Sequence, residues 1–204
     1  MLNKIKIAVF VSGGGTNLQA LIDAQSDIIK SGEIALVVSN KPDVYALKRA
    51  ENAGIKSAVV VKKGRTQEDF ETELLKVLEE YKIEMIVLAG FLSILSVNFV
   101  KNYPDRIINI HPSLIPSFCG DGFYGLKVHE AALNYGVKVT GATVHYVNEI
   151  TDGGKIIMQK AVDIQDGDTP EILQKRVMEE AEWKLLPAST ELVAQKLLKE
   201  KTNG

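Results

Sequence analysis

Short apolar runs alternate with amphipathic segments through the first half of the chain. Five runs are predicted to be strands: Ile5–Val11, Ile34–Ser39, Lys56–Val61, Met85–Ala89 and Ile107–Ile110. Because they are almost continuously apolar, they are typical of strands covered by helices on both faces. Four segments between them have helical periodicity: Leu18–Ala24, Ala46–Ala53, Glu68–Tyr81 and Ser96–Asn102. This alternation predicts an α/β fold with right-handed crossovers and a doubly wound, mainly parallel sheet of the Rossmann-like kind.

The pattern changes after Pro112, where a loop rich in proline, glycine and aromatic residues begins. A helix is predicted near Lys127–Asn134, followed by two further strands at Val139–Val147 and Lys155–Val162. We expect these strands to form a hairpin-like pair that completes the sheet. Thr169 or Asp168 is expected to cap a C-terminal helix that has Pro170 in its first turn and bends near Pro187.

Composition and charge narrow the class of protein. The 204 residues are 46% hydrophobic and 25% charged, which is typical of one ordinary globular domain. The formal net charge of −2 leaves no basic surplus for neutralising nucleic-acid phosphates. A single cysteine, Cys119, excludes a disulfide framework and indicates a reducing compartment. The first apolar run is too short for a signal peptide or membrane span, so we expect a cytoplasmic protein with no membrane partner.

A glycine-rich segment, Ser12–Asn17, follows the first predicted strand and opens the first predicted helix. Glycines let backbone amides approach an anion, and the start of a helix adds partial positive charge. A phosphate site is therefore favoured over a plain tight turn. The dinucleotide fingerprint would need Gly or Ala at Leu18, and the second strand ends in Ser39-Asn40 rather than in an acidic residue. The segment thus favours a single phosphate monoester.

Two polar side chains stand at the end of the fifth predicted strand. Asn109 and His111 point to the same side of a strand, and Pro112 keeps His111 extended. Asp152 lies in the turn-prone segment 148–154 and could fold back to pair with His111. Such a carboxylate is expected to raise the pKa of the imidazole above its ordinary value of about 6.5. A structural histidine and a solvated turn are the alternatives.

Several other reactive side chains carry weaker signals. His129 and His145 lack the spacing of a metal-binding pair, so we expect no metal site. Cys119 has no local acid–base partner. Trp183 and Tyr124 are expected to be packing residues.

Five segments resemble the folate-dependent formyltransferase family: SGGGTNLQALIDA, VLAGFLSIL, INIHPSLIPSF, VTGATVHYVNEITDGG and IIMQKAV. The resemblance extends from about residue 5 to residue 187. INIHPSLIP followed by the DGG turn is specific for folate-dependent formyl transfer. The glycine-rich loop and the short chain favour the branch of this family that acts on phosphoribosylglycinamide.

The resemblance implies formyl transfer from the co-substrate 10-formyltetrahydrofolate to the amine of phosphoribosylglycinamide, without a metal. Asn109, His111 and Asp152 match the catalytic residues. The residues that match the phosphoribosyl-substrate site are Gly14, Gly15, Thr16, Asn17 and Glu182. Those that match the folate site are Leu92, Ser93, Ile94, Leu95, Asn109, Asn148 and Asp152. We expect a single formyltransferase domain over residues 1–204, with a phosphate-binding half (1–105) and a folate-binding, catalytic half (106–204).

The chain departs from the family pattern at three places. Asn148 stands where Asp is common, and Lys155 stands where Pro is common. An arginine of the family aligns with Gln67, and Arg65 lies two residues earlier; by its charge we take Arg65 to approach the folate tail. A 10-formyltetrahydrofolate hydrolase and a non-catalytic nucleotide-binding module remain alternative functions. We expect small-molecule substrates, no nucleic-acid partner and a monomer or homodimer.

Overall fold

Seven strands form one sheet in the computed structural model, which describes residues 4–203. Their order is β3-β2-β1-β4-β5-β6-β7. They are β1 (Ile5–Val11), β2 (Gly32–Ser39), β3 (Ser57–Val59), β4 (Met85–Leu88), β5 (Ile107–His111), β6 (Val139–Tyr146) and β7 (Ile156–Asp163). β1 to β5 are parallel, whereas β6 and β7 are antiparallel to their neighbours. The predicted α/β class with a mainly parallel sheet and a closing strand pair is confirmed.

Seven α-helices accompany these strands within residues 4–203. They are α1 (Thr16–Ala24), α2 (Tyr45–Asn52), α3 (Gln67–Glu80), α4 (Val97–Val100), α5 (Leu126–Tyr135), α6 (Pro170–Val177) and α7 (Trp183–Asn203). Thr169, not Asp168, caps α6, because its side chain accepts a hydrogen bond from the amide of Ile172. Pro187 lies inside α7, and the departure from regular helix precedes it, as a π-helical turn at Met178–Glu182.

The helices cover both faces of the sheet and bury two apolar clusters. Alternation along β1 sends Val9 into the cluster that contains Leu21 of α1, and Phe10 into the cluster that contains Phe70 of α3. All four side chains are fully buried. Burial of each such side chain stabilises the fold by about 1.5–3 kcal/mol. The near-continuous apolar run of β1 therefore reflects its central position.

The sheet order places a crevice at the carboxyl ends of β1 and β4. Chain connections leave these adjacent strands toward opposite edges of the sheet, which is the arrangement that creates ligand sites in open α/β folds. The loops after the two strands are tied together: the amide of Ser12 donates to the carbonyl of Gly90 at 3.1 Å, and the amide of Leu92 donates to the Ser12 hydroxyl at 2.8 Å. The glycine-rich loop and the segment 92–95 therefore border one crevice.

Within residues 4–203, no helix is both long and apolar enough to cross a membrane.

Candidate active site

A cavity of about 520 Å³ opens beside the carboxyl ends of β4 and β5. Its apolar wall includes Leu88, Phe91, Leu92, Ile94 and Leu95, and its polar residues include Ser93, Asn109, His111, Asn148 and Asp152. Every residue that the family resemblance assigned to folate, except Arg65, lines this cavity. Leu92 and Ile94 are 56% and 64% exposed, so large apolar side chains stand open to a ligand at its mouth.

Asn109, His111 and Asp152 converge at the inner end of this cavity. Nδ1 of His111 lies 3.5 Å from Oδ2 of Asp152. Nδ2 of Asn109 donates to Oδ1 of Asp152 at 3.4 Å. Asp152 has a φ of 55°, a left-handed conformation that lets the loop after β6 turn back toward β5. The three side chains therefore share one small volume, as the sequence predicts.

His145 joins these three residues, and sequence reasoning assigned it no role. It lies opposite Asn109 in the β5–β6 pairing. Its Nδ1 is 2.8 Å from the carbonyl of Tyr146, which can only accept, so Nδ1 carries a proton. Nε2 lies 3.1 Å from Nδ2 of Asn109 and 3.6 Å from Oδ1 of Asp152. The one sequence signal for His145 was its position within a segment that resembles the family. That it faces Asn109 depends on the register between the two strands, which the sequence does not specify.

The loop between β5 and α5 completes the polar end of the cavity. The amide of Gly120 donates to Oδ2 of Asp152 at 2.9 Å. Nε2 of His111 donates to the carbonyl of Phe118 at 2.9 Å. Both ring nitrogens of His111 thus face oxygen acceptors, one carbonyl and one carboxylate, which only the imidazolium can satisfy fully.

Burial nevertheless has the largest effect on the pKa of His111. Burial lowers the pKa of His111 below its ordinary value and outweighs the charge of Asp152 and the hydrogen bond to Phe118, both of which act to raise it. The expectation that the pKa of His111 lies above its ordinary value is therefore wrong. Asp152 acts in the expected direction, but desolvation has the larger effect. Burial alone would raise the pKa of Asp152, but contacts with His145, His111 and Gly120 together lower it. Asp152 is therefore ionised at neutral pH.

The glycine-rich loop presents a row of unsatisfied donors. The backbone amides of residues 13–17 donate to no acceptor within the described part of the chain. A Cβ at Gly13 or Gly14 would meet no atom within 4 Å, so these residues border open space. Gly15 caps α1 with a φ of 73°. Successive free amides at the start of a helix form a suitable anion site.

Glu182 reaches this loop from the π-helical turn. Nδ2 of Asn17 donates to Oε2 of Glu182 at 2.6 Å, and both side chains are buried. Burial raises the pKa of Glu182 to about 6, although the bond from Asn17 acts in the opposite direction. Oδ1 of Asn17 is buried without a partner among the described residues. The structure therefore brings Glu182 next to the predicted phosphoribosyl loop.

The departures from the family pattern have defined positions. Arg65 is exposed and does not line the cavity. Nε2 of Gln67 donates to the carbonyl of Ile94 at 3.1 Å and therefore supports the cavity wall. Oδ1 of Asn148 accepts from the amide of Ile150 at 3.0 Å and holds the turn that carries Asp152. Lys155 is exposed at the end of the same loop.

The remaining reactive side chains lie outside this network. No group of three or more His, Cys, Asp or Glu side chains that could hold a metal ion occurs among residues 4–203. His129 is fully buried on α5, and burial lowers its pKa to about 4. Sγ of Cys119 donates to the carbonyl of Pro116. These groups add no second site.

Comparisons with known proteins agree with the geometry. The chain is 48% identical to the trifunctional purine biosynthetic protein adenosine-3 of Gallus gallus, over 94% of this chain and 19% of that protein. It is 39% identical to the phosphoribosylglycinamide formyltransferase of Haemophilus influenzae, over 89% of this chain and 84% of that protein. The solved glycinamide ribonucleotide transformylase 1 of Symbiobacterium toebii matches with a TM-score of 0.88 at 37% identity, covering 95% of this chain and 89% of that one.

The chain spans 19% of the length of the trifunctional relatives from chicken, human and cattle. A family model described as formyl transferase matches residues 5–190, which include the glycine-rich loop, the converging polar side chains and Glu182. On that match, and on the identity with relatives covered over most of their length, this chain belongs to the formyl transferase family.

Proposed function

We propose that this protein transfers the formyl group of 10-formyltetrahydrofolate to the amine of phosphoribosylglycinamide, giving formylglycinamide ribonucleotide and tetrahydrofolate. This is a step of purine biosynthesis. The observation that carries the proposal is the convergence of Asn109, His111 and Asp152 at the end of a cavity that borders the same crevice as the glycine-rich loop. The names of its relatives support the same activity.

The two substrates would occupy the two sides of this crevice. The free amides of residues 13–17 would hold the phosphate, and Glu182 beside Asn17 would accept hydrogen bonds from the ribose hydroxyls. The segment 92–95 and the loop that carries Asn148 would enclose the pteridine ring in the apolar cavity. Arg65, exposed outside the cavity, would meet the carboxylates of the folate tail.

Asn109, His111 and Asp152, which lie where the two substrates would meet, suit direct attack of the amine on the formyl carbon. The amine nitrogen forms a bond to the formyl carbon, and the bond from that carbon to the folate nitrogen then breaks. In between, the formyl oxygen bears negative charge. Asn109 would donate to it, and so would Nε2 of His111 in exchange for its hydrogen bond to the carbonyl of Phe118. The 3.4 Å contact between Asn109 and Asp152 is the longer of the two made by this amide, so the oxyanion would replace it. Losing one such donor typically costs about 3–4 kcal/mol of transition-state stabilisation.

Asp152 would assist proton transfer from the amine to the folate nitrogen. The amine loses a proton on attack, and the folate nitrogen gains one as it leaves. An ionised Asp152 can orient a water molecule that carries this proton from the amine to the folate nitrogen. Its charge also favours the protonated form of His111, against the effect of burial on that ring.

The proposal is tested by the dependence of folate product on the acceptor. The purified chain is supplied with 10-formyltetrahydrofolate, and tetrahydrofolate formation is followed by ultraviolet absorbance with and without phosphoribosylglycinamide. Product should form only when the acceptor is present. Equal product without the acceptor would instead identify a hydrolase, and no product in either case would favour a binding module.

The role of Asp152 is tested by Asp152→Asn. Asparagine tolerates the left-handed backbone of this position, so the change removes charge with little strain. We expect kcat to fall by about 10²–10⁴-fold, with the KM for phosphoribosylglycinamide nearly unchanged. Asp166→Asn, which removes an exposed carboxylate near Lys138, is the matched control and should retain full activity. An unchanged kcat in folded Asp152→Asn would refute the assigned role.

The proposal also includes a cytoplasmic location, small-molecule partners alone, no metal requirement and a monomer or homodimer. The single cysteine and the near-zero net charge support the first two.

A further inference from the structure

We infer that Arg49 is a positioning residue for substrate phosphate, which it serves by orienting the glycine-rich loop from outside; this rests on the proposed function of that loop. Arg49 lies on α2, a helix to which neither the sequence pattern nor the family resemblance assigned a functional residue. Its side chain is half-buried against the loop. The inference assigns α2 a part in acceptor binding.

Two contacts join α2 to the outer side of the loop. Nε of Arg49 donates to the carbonyl of Gly14 at 2.8 Å. The amide of Ala46 donates to the carbonyl of Gly13 at 3.1 Å. Two successive carbonyls of the loop therefore point toward the same helix.

Because the peptide bond is planar, these contacts with the carbonyls also fix the direction in which the following amide N–H groups point. In a trans peptide the C=O and the following N–H point in opposite directions. When α2 holds the carbonyls of Gly13 and Gly14, the N–H groups of Gly14 and Gly15 are turned away from α2. These are two of the amides that donate to no acceptor within residues 4–203. Arg49 thereby fixes the N–H of Gly15 in the direction in which it can bind an anion.

The surroundings hold the guanidinium in this place. Its Nη1 donates to Oε1 of Gln19 at 3.0 Å, and its Cζ lies 4.9 Å from the centre of the Tyr45 ring. Only glycine at position 15 allows this approach, because a Cβ there would lie 2.7 Å from Cβ of Ala46. Both of these side-chain hydrogen bonds go to uncharged oxygens, one of the loop and one of α1.

The test compares three variants with two acceptors. Arg49→Met removes both hydrogen bonds, Arg49→Lys keeps the charge but cannot place nitrogens where Nε and Nη1 are, and Lys48→Met is the control. Lys48 lies next in the chain and pairs with Glu51, away from the loop. The acceptors are phosphoribosylglycinamide and its phosphate-free riboside. Calorimetric titration with ribose 5-phosphate gives a binding readout that does not depend on turnover.

A misaligned amide weakens a charged hydrogen bond, so we expect KM for the phosphorylated acceptor to rise about tenfold in Arg49→Met. KM should also rise in Arg49→Lys, Kd for ribose 5-phosphate should rise in parallel, and kcat should stay near the wild-type value. The penalty should disappear with the riboside, and Lys48→Met should match the wild type.

Wild-type behaviour of Arg49→Lys would show that charge alone matters and would overturn the inference. An equal loss with both acceptors, or a fall in kcat at unchanged KM, would overturn it as well. Absence of acceptor-dependent activity in the wild-type protein would instead contradict the proposed function, and the ribose 5-phosphate titration would still decide the role of Arg49.

Discussion

Glu182 is a carboxylate that this fold buries at an electrostatic cost. It is 4% exposed, and the hydrogen bond that it accepts from Asn17 does not restore what its charge loses on leaving water. The raised pKa, about 6, measures this imbalance. A carboxylate kept in such a place serves binding rather than stability, which agrees with its position beside the predicted phosphoribosyl site.

This imbalance predicts a pH-dependent stability difference between the wild type and Glu182→Gln. An acid whose pKa is raised on folding stabilises the protein below its unfolded pKa, and this contribution is lost as pH rises through the folded pKa. The shift from 4.5 to about 6 corresponds to about 2 kcal/mol. Glutamine keeps an oxygen for Asn17, so Glu182→Gln should be more stable by about this amount at pH 7.5 and nearly equal to the wild type at pH 4.5.

Urea unfolding at the two pH values measures the difference. The control is Glu180→Gln, which removes an exposed carboxylate two residues earlier. Its effect on the free energy of unfolding should be small and nearly the same at both pH values. A pH-independent difference for Glu182→Gln would mean that folding does not shift the pKa of Glu182.

Sequence reasoning found the side chains that belong to short motifs and missed those brought in by packing. Asn109 and His111 are two residues apart on one strand, so their common direction follows from strand geometry. Neither His145 nor Arg49 can be placed that way. The first faces Asn109 through the register of antiparallel strands, and the second reaches Gly14 through the packing of α2 on a loop 35 residues away.

The net shift in the pKa of His111 could not be predicted from the sequence either. The sign of the Asp152 contribution follows from charge alone, and it is as predicted. How far the ring is removed from water depends on the loop from Phe118 to Gly120, which closes over it. Burial is a property of the assembled fold, so it could not be weighed against the carboxylate beforehand.

At the scale of elements, α2 packs on the glycine-rich loop at one particular glycine. Gly15 has a φ of 73°, and its missing side chain leaves room for Ala46 and for the Cδ of Arg49. A Cβ at Gly14, the preceding residue, would meet no atom within 4 Å. The packing of the fold therefore requires glycine at position 15 but not at position 14.

Alanine substitutions should separate these two glycines. Gly15→Ala forces a left-handed backbone on alanine and drives its Cβ into α2, so the free energy of unfolding should fall by about 1–3 kcal/mol. Gly14→Ala should leave it within about 0.5 kcal/mol of the wild-type value. Thermal and urea unfolding of both variants measure the effect. Equal stability of the two variants would show that α2 does not pack tightly on the loop.

Element boundaries were predicted best where the burial pattern is simple. β1 agrees with the prediction at both ends, because a run that is apolar except for Lys6 is bounded by Lys4 and the Ser-Gly turn. β3 is shorter than the predicted Lys56–Val61, because it pairs only with β2 at the edge of the sheet and has only three paired residues. The path of residues 148–154 depends on contacts of Asn148 and Asp152 that no local pattern specifies.

At the scale of the whole molecule, the two parts of the site are each built from both halves of the chain. Asn17 and Glu182 are 165 residues apart and share a hydrogen bond. The cavity wall at 92–95 precedes β5, whereas Asp152 follows β6. α1 packs directly on α7, and one sheet runs through the entire fold. Neither half of the chain therefore holds either of the proposed substrate sites complete.

This shared construction predicts that the protein unfolds as one unit. Trp183 is the only tryptophan, and it stands beside Glu182 against α1, where it reports on the junction of the two halves. Urea transitions followed by its fluorescence and by far-ultraviolet circular dichroism should coincide. Leu21→Ala in α1 and Leu186→Ala in α7, both at fully buried positions, should each lower the free energy of unfolding by about 2–5 kcal/mol and shift both transitions together. If a fluorescence transition moved ahead of the circular dichroism in Leu186→Ala alone, the C-terminal helix would be a separate unit, and the site would come apart before the sheet does.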